Sequence, residues 1–346
     1  GMVTSIPPHN LGEVLDAVKA LIQDREISTE ELMQYVQGPD FPTGGIVINK
    51  DELKDIYEKG TGKIRLRGKV EIEKAKGQKQ RIVITQIPYT MMGANIGKFL
   101  DGIRIVIELK KDADAQNLIN MLYKKTRLED TFSVNMLAVC NGKPETLGLK
   151  EILEHHVDFQ FELADRKYKN LLGKELEKKE VQEGLIKAYD VIDLIIEILR
   201  GSKNQKQVKE CLVNGITKGI SFRKKTSEKE AAKLCFTQRQ ADAILDMRLY
   251  KLIGLEIEEL EKEYRKTLKN IETYEDILNH YDSMAKVIIK DLDNLKKEYS
   301  VARKTVIENA EEAVYQEKQP EKTEVVFLMD RFGYARVIDR AVFERN

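Results

Sequence analysis

The sequence has few cysteines and few histidines, and both shortages argue against whole classes of site. Cys140, Cys211 and Cys235 lie far apart in 346 residues, with no Cys-x-x-Cys spacing. This pattern argues against a disulfide framework and fits a reducing cytoplasm. The four histidines have no cysteine or carboxylate partners at the spacing of a metal site. We therefore expect no resident metal in this chain.

Targeting and catalytic patterns are also missing. No apolar run approaches the roughly 20 residues of a membrane span, and the opening GMVTSIPPHN has no signal-peptide pattern. There is no P-loop and no Gly-x-Gly-x-x-Gly motif. None of the thirteen tyrosines stands in a context that argues for an activated nucleophile. These absences predict a cytoplasmic binding or scaffolding piece rather than an enzyme. The opening Gly1 fits either an added residue or a chain that begins within a larger protein.

Charge is balanced overall but not locally. Lys plus Arg and Asp plus Glu both number 58, so a basic site must come from local asymmetry. Residues 59–81 carry nine Lys or Arg against two Glu, a surplus of seven. Basic residues alternate with apolar residues or glycine over 63–70, which predicts a strand with one basic face. Residues 75–78 read as a turn and 81–86 as the returning strand of a β-hairpin.

A local basic stripe is the pattern expected for contact with a phosphate backbone. The alternative is a solvated hairpin face with no ligand. The candidate DNA contacts are Lys63, Arg65, Arg67, Lys69, Lys79 and Arg81.

The first half of the chain predicts an α+β domain. Strand patterns cover 46–49, 103–109 and 135–139, and a helix pattern covers 117–125. Before them, Asn10 is a candidate cap for a helix, and Ser28 with Glu31 forms the pattern of a capping box.

Two long charged helices dominate the second half. The first covers 149–183. The second has apolar residues seven apart on one seam and a matching second seam; the first of these seams contains Tyr264, Ile271, Leu278, Ala285, Leu292 and Tyr299. This heptad predicts an antiparallel two-helix coiled coil, an arm roughly 60 Å long for about 40 residues. The alternative is one helix of a packed bundle.

A dense apolar cluster lies between these helices. An exposed cluster of this density is costly in a monomer, so we expect it to be hidden inside the chain or to meet a second copy with two-fold symmetry. The candidate dimer contacts are Ala241, Ile244, Leu245, Met247, Leu249 and Leu252.

The C-terminal residues predict a hairpin after a charged linker at 311–324. Strand patterns at 325–329 and 334–338 flank the turn Asp330-Arg331-Phe332-Gly333. A lone hairpin is marginal in water, so we interpret it as the start of an incomplete domain.

Several ordered stretches together resemble the A subunit of the bacterial type IIA DNA topoisomerases, the family of DNA gyrase and topoisomerase IV. They are IPPHN, GPDFPTGG, GTGKIRLRGK, QIPY, GIRIVIELK, QADAILDMRLYKLIGLE and FLMDRFGYARVID. The resemblance covers essentially the whole chain. Gyrase and topoisomerase IV are harder to separate, although the stretches EHHVDFQFELADRKY and LIIEILRG look somewhat more like topoisomerase IV subunits of Gram-positive bacteria.

The resemblance implies an α+β tower domain at 1–147 and a coiled-coil arm at 148–183 and 256–305. It implies a helical dimerisation domain, the exit gate, at 184–255, and a linker with the start of a β-pinwheel at 306–346. The parent enzyme would pass one duplex through another, and its partners would be double-stranded DNA, a second copy of this chain and the topoisomerase B subunit. Mg²⁺ and ATP would act through the B subunit, and this fragment would need no cofactor of its own.

The family's catalytic Arg-Tyr pair lies upstream of IPPHN, and this chain contains no Arg-Tyr dipeptide. The resemblance therefore implies a fragment that cannot cleave DNA by itself. Two alternatives remain: a structural coiled-coil dimer with a DNA-binding domain, and an enzyme with an unrecognised site.

The join at Leu100–Asp101 is irregular. Residues 97–100 begin like a helix, yet a strand pattern starts at Ile103, whereas connections commonly run to roughly 4–6 residues. The family has the rest of a helix and a polar loop here. We expect that a segment is missing between Leu100 and Asp101, the alternative being a true deletion.

Overall fold

In the computed structural model, the residues that the structure describes are 3–74, 80–91, 103–111, 113–140, 142–247, 254–317 and 324–345. The helices are α1 Leu11–Gln23, α2 Thr29–Leu32, α3 Leu53–Lys59, α4 Ala115–Lys125, α5 Leu149–Asp190, α6 Ile192–Gly201, α7 Gln205–Asn214, α8 Lys225–Ala231, α9 Gln238–Leu245, α10 Gly254–Asn279, α11 Tyr281–Tyr299 and α12 Arg340–Phe343. The strands are β1 Ile46–Val47, β2 Thr61–Arg67, β3 Lys69–Lys74, β4 Gln80–Gln86, β5 Ile105–Glu108, β6 Glu129–Asn135, β7 Leu137–Cys140, β8 Lys143–Thr146, β9 Val306–Ile307, β10 Val325–Met329 and β11 Ala335–Asp339. The mixture of helices and antiparallel sheets confirms the α+β class.

The chain folds into two compact units, which are described separately. The mixed unit contains residues 1–9, 38–146 and 303–346, and the helical unit contains residues 10–37 and 147–302. Residues 10–37, which the sequence grouped with the first domain, therefore pack with the long helices. Lys19 of α1 pairs with Asp293 of α11 at 2.7 Å, and the Asn10 side chain donates to the Val301 carbonyl at 3.0 Å.

Two sheets form the mixed unit. The first has the order β6-β2-β1-β9, with β9 parallel to β1 and the other pairs antiparallel. The second is antiparallel, with the order β3-β4-β5. Its apolar face packs on α4 through Ile82, Ile84 and Ile119, so the hydrophobic core of this sheet faces the helix.

The basic strand predicted over 63–70 is broken at Gly68. β2 pairs with β1 and β6, whereas β3 pairs with β4 in the other sheet. A Cβ on residue 68 would lie 2.7 Å from the Gln86 carbonyl oxygen and 2.5 Å from a Leu128 methyl carbon. Only glycine fits this close approach of residue 68 to Gln86 and Leu128. The chain passes from one sheet to the other at this residue, so the prediction of one continuous strand over 63–70 is wrong. The hairpin itself exists as β3 and β4.

The helical unit contains the two predicted long helices in antiparallel contact. Residue numbers fall along α5 as they rise along α10 and the start of α11. The contacts are Glu183 with the Tyr264 hydroxyl at 2.7 Å, the Tyr168 and Tyr274 rings with centroids 5.6 Å apart, and the Phe161 and Tyr281 rings stacked with centroids 4.9 Å apart.

The second long helix is interrupted at His280, so the prediction of one continuous helix is wrong. His280 has extended backbone angles, φ −124° and ψ 121°, between α10 and α11. Asparagine and histidine are only moderate helix formers, and Asn279 and His280 meet at this point. Tyr281 then donates its hydroxyl to the Ile22 carbonyl at 2.9 Å. A tertiary contact thus fixes the chain where the heptad alone predicted continuity.

The C-terminal hairpin is confirmed. β10 and β11 pair antiparallel, with Met329 opposite Ala335, and Gly333 provides the left-handed turn conformation at φ 85°. Phe327, Phe332 and Tyr334 are mostly exposed. Among the described residues, no helix has the length and apolar character needed to cross a membrane.

Candidate nucleic-acid interface and dimer surface

Strand β2 presents the predicted basic face. Lys63, Arg65 and Arg67 alternate with Ile64 and Leu66, which are fully buried. The hydrophobic effect on one side of the strand therefore fixes the cations on the other. Lys63 is exposed, and no ion pair joins it to another described residue.

Arg67 is held inside the mixed unit. Its Nε donates to Glu129 at 2.7 Å, and its guanidinium lies over the Tyr123 ring, 4.8 Å from the centroid. The side chain is only 12% exposed. Burial raises the pKa of Tyr123, whose hydroxyl donates to the Gly68 carbonyl at 3.1 Å. Arg67 is thus mainly a structural cation, with one outer edge left for other contacts.

Arg65 is more accessible. Its guanidinium lies 3.4 Å from Glu52 and 3.8 Å from Glu312, and its side chain is 33% exposed. Ion pairs this long and open contribute little stability. Arg65 can therefore exchange these carboxylates for another anion at small cost.

The remaining basic candidates belong to the other sheet. Lys69 pairs with Glu71 at 3.2 Å, and Arg81 pairs with Glu73 at 2.7 Å. The hydrogen bond from Arg81, aided by Arg104, lowers the pKa of Glu73. Glu71 and Glu73 therefore offset part of the positive charge of the basic stripe at 59–81. Lys79 lies outside the described residues.

Sequence reasoning missed Arg104, which pairs with Glu73 at 3.0 Å. It stands in the apolar run that leads into β5, where a single basic residue gave no signal.

The predicted dimer cluster is divided by the fold. Ala241 and Ile244 are buried in the core formed by α6 to α9 and the end of α5, together with Ile195, Cys211 and Leu212. These two residues contribute almost no exposed surface, at 0% and 5%. Their burial is what the alternative of a cluster hidden within one chain predicts for these two residues.

The rest of the cluster is less enclosed or undescribed. Leu245 and Met247 are half-buried. Leu249 and Leu252 lie outside the described residues. The buried face of α9 is therefore already used inside the chain, and the dimer contacts at Leu249 and Leu252 stay a prediction.

Helix α9 itself is well defined. Thr237 caps it by accepting from the Gln240 backbone at 3.2 Å, and the Gln240 side chain accepts from the Thr237 backbone at 3.0 Å. This reciprocal capping box fixes the start of the helix.

The described residues give little support for chemistry at a reactive group. Burial raises the pKa of the Cys211 thiol, which disfavours the nucleophilic thiolate. No group of three or more His, Cys, Asp or Glu side chains in the described part of the chain is arranged to hold a metal.

Comparison with known proteins supplies the family. The family model for the A subunit of DNA gyrase/topoisomerase IV matches residues 1–102 and 97–293. The two matched segments meet at the predicted irregular join. Residues 92–102 lie outside the described residues, so the missing segment stays a prediction.

Curated relatives match almost the whole chain. The DNA gyrase A subunit of Clostridium acetobutylicum is 38% identical over 360 residues, which cover 98% of this chain and 41% of the relative. The DNA topoisomerase 4 A subunit of Bacillus subtilis is 38% identical over 335 residues, 91% of this chain and 39% of the relative. The DNA topoisomerase 4 A subunit of Staphylococcus epidermidis is 32% identical over 359 residues, which cover 97% of this chain and 43% of the relative.

The chain therefore spans about two fifths of the length of these relatives. Gyrase and topoisomerase IV proteins match it at the same 38% identity, so identity does not separate them. The family match extends over more than half of the chain. The chain belongs to the family of DNA gyrase and topoisomerase IV A subunits.

Proposed function

We propose that this chain is the part of a type IIA topoisomerase A subunit that supports a DNA duplex and forms a dimeric protein gate. The family match from residue 1 to residue 293 carries this proposal. The accessible cations of β2 give the mixed unit a local means of holding phosphate. The antiparallel helices α5 and α10 lead to the apolar segment after α9, which would form the gate.

The proposed division of labour follows the regions named from the sequence. Residues 1–147, apart from residues 10–37, which pack with the long helices, form the tower that holds DNA beside the cleavage centre. Residues 148–183 and 256–305 form the arm, and residues 184–255 form the exit gate. Residues 306–346 connect to a DNA-wrapping domain. The exposed apolar hairpin β10–β11 is consistent with that last assignment, because such a surface normally packs on neighbouring strands.

The parent protein in this proposal is an ATP-dependent DNA topoisomerase of the cytoplasm. ATP and Mg²⁺ act through the B subunit, and the catalytic Arg-Tyr pair of the family has no counterpart among the 346 residues of this sequence. With supercoiled plasmid, Mg²⁺, ATP and the B subunit, the chain should leave the plasmid unchanged. Relaxation by the pure chain would overturn the assigned role.

DNA contact is tested by the salt dependence of duplex binding. Each phosphate neutralised should lower log affinity by about 0.9 per unit of log salt concentration. Changing Lys63→Gln and Arg65→Gln should therefore flatten the slope by up to about 1.8. The control is Arg127→Gln, since Arg127 is a 72% exposed cation of the same unit that was not predicted to contact DNA. If the wild type, the double variant and the control show the same slope, the proposed contact of β2 with DNA is refuted.

A further inference from the structure

An acidic segment of the chain lies on the basic face of β2. We call residues 308–317 the acidic strap, because they contain four glutamates and no lysine or arginine. The strap starts at the sheet, where the Glu308 amide donates to the Val47 carbonyl at 2.9 Å. The Lys50 amide donates to the Glu308 carbonyl at 3.3 Å and the Ala310 amide to the Ile48 carbonyl at 3.1 Å, so the strap leaves the sheet edge only after residue 310.

The strap next meets both arginines of β2. Arg67 donates from Nη2 to the Glu311 carbonyl oxygen at 3.0 Å. The Arg65 guanidinium lies 3.8 Å from the Glu312 carboxylate, which is 86% exposed. The strap thus occupies the outer edge of Arg67 and one side of Arg65. Lys63 has no such contact with the strap.

Helix α4 fastens the far end of the strap. Asn117 donates to the Gln316 carbonyl at 3.0 Å and accepts from the Gln316 amide at 3.0 Å. One turn later, Asn120 donates to the Val314 carbonyl at 3.0 Å. Residues three apart share a helix face, so two amides hold an extended segment along α4.

These attachments are specific but weak. Beyond residue 310 they consist of exposed hydrogen bonds and one long ion pair, each of which contributes little net free energy because water competes for the same groups. Such a segment is released more easily than the sheet it covers. A phosphate and a glutamate carboxylate compete for the same guanidinium groups.

We propose that the acidic strap is an autoinhibitory cover that competes with DNA phosphates for Arg65 and Arg67. This inference rests on the proposed DNA contact of β2. Strap release exposes the guanidinium edges, and a duplex that occupies them keeps the strap displaced.

The test measures duplex affinity of the full chain from 50 to 200 mM salt. Asn117→Ala with Asn120→Ala removes the fastening without touching a cation. Affinity should rise by roughly two- to five-fold, the range expected when an exposed ion pair stops competing. The salt slope should steepen by about 0.9 for each cation released.

A second variant guards against a folding defect. Glu312→Gln keeps the strap's length and should also raise the affinity for duplex DNA. The matched control is Glu317→Gln, which removes the same charge from the strap at a position that contacts no arginine of β2. A larger gain for Glu312→Gln supports the cover. Equal effects of the two glutamates would mean that only net charge matters and would overturn it.

The two proposals fail differently. If Arg65→Gln weakens binding but both strap variants bind like the wild type, DNA contact stands and the cover is refuted. If Arg65→Gln leaves affinity and slope unchanged in every background, the DNA contact itself fails and the cover fails with it.

Discussion

Two buried glutamines in the helical unit should respond in opposite ways to the same substitution. Gln182 of α5 is 4% exposed, and neither its amide nitrogen nor its amide oxygen has a hydrogen-bond partner among the described residues. Gln240 of α9 is 7% exposed and fully engaged. Its Nε2 donates to the Glu180 carbonyl at 2.8 Å, and its Oε1 accepts from the Thr237 amide at 3.0 Å.

Methionine matches glutamine in length and carries no amide, so it isolates the polar contribution. Gln182→Met removes two buried groups without partners and should raise the free energy of unfolding by about 1–3 kcal/mol. Gln240→Met leaves the Glu180 carbonyl and the Thr237 amide without these partners and should lower it by a similar amount, about 1–3 kcal/mol. The difference between the variants should therefore reach about 2–6 kcal/mol.

Neighbouring groups support the interpretation of Gln182. Glu175 precedes it by seven residues on α5. Thr267 lies on α10 between Tyr264, which donates to Glu183, and Asn270, which donates to Glu175 at 3.3 Å. One carboxylate oxygen of Glu175 and the Thr267 hydroxyl are also buried without partners among the described residues. The α5–α10 contact therefore contains a polar section beside the aromatic contacts of Tyr168 and Tyr274. Replacing the Gln182 amide should therefore remove a desolvation penalty without breaking a hydrogen bond.

Urea unfolding followed by circular dichroism measures the effect. Protein concentration must be the same for all variants, because association shifts apparent stability. The midpoint should move up for Gln182→Met and down for Gln240→Met relative to the wild type. If Gln182→Met is destabilised as much as Gln240→Met, the Gln182 amide has partners and the reasoning is refuted.

Two further predictions concern glycine and pH. Gly201→Ala should lower the free energy of unfolding by about 1–3 kcal/mol, because its Cβ would lie 2.3 Å from the Ser221 carbonyl oxygen. Gly173→Ala should instead stabilise α5 by about 0.5–1 kcal/mol, because nothing lies within 4 Å of the added Cβ. Thermal unfolding measures both effects. Burial acts to raise the pKa of Asp16, but hydrogen bonds led by Lys296 outweigh it and leave the pKa lowered. Asp16→Asn should therefore be less stable than the wild type at pH 7. This difference in stability should close as the pH falls below 3.8, the ordinary pKa of aspartate. A difference that does not change with pH would contradict a stabilising role of the ionised Asp16 carboxylate.

Local chemistry was predictable from the sequence. Asn10 caps α1 by accepting from the Gly12 and Glu13 amides, and Ser28 with Glu31 forms a reciprocal capping box. Both signals depend on residues within three positions of each other, so no tertiary information was needed. The C-terminal hairpin followed from its turn for the same reason.

Contacts between distant residues set the rest. Arg67 is neutralised by Glu129, 62 positions away, so a count of nearby charges overstated the basic stripe. Ala241 and Ile244 fill a core built largely from preceding helices, which an apolar cluster alone does not reveal. The break at His280 likewise depends on the Tyr281 contact with Ile22, which no heptad encodes.

The mass of the chain in solution tests the central claim, a dimeric gate, most directly. Sedimentation equilibrium should give twice the protomer mass of 39.8 kDa. Leu249→Lys with Leu252→Lys should give 39.8 kDa, and the control pair Leu176→Lys with Leu268→Lys, at exposed positions of α5 and α10, should remain dimeric. A wild-type chain that sediments at 39.8 kDa at micromolar concentration would contradict the gate, as would a dimer unaffected by lysine at 249 and 252.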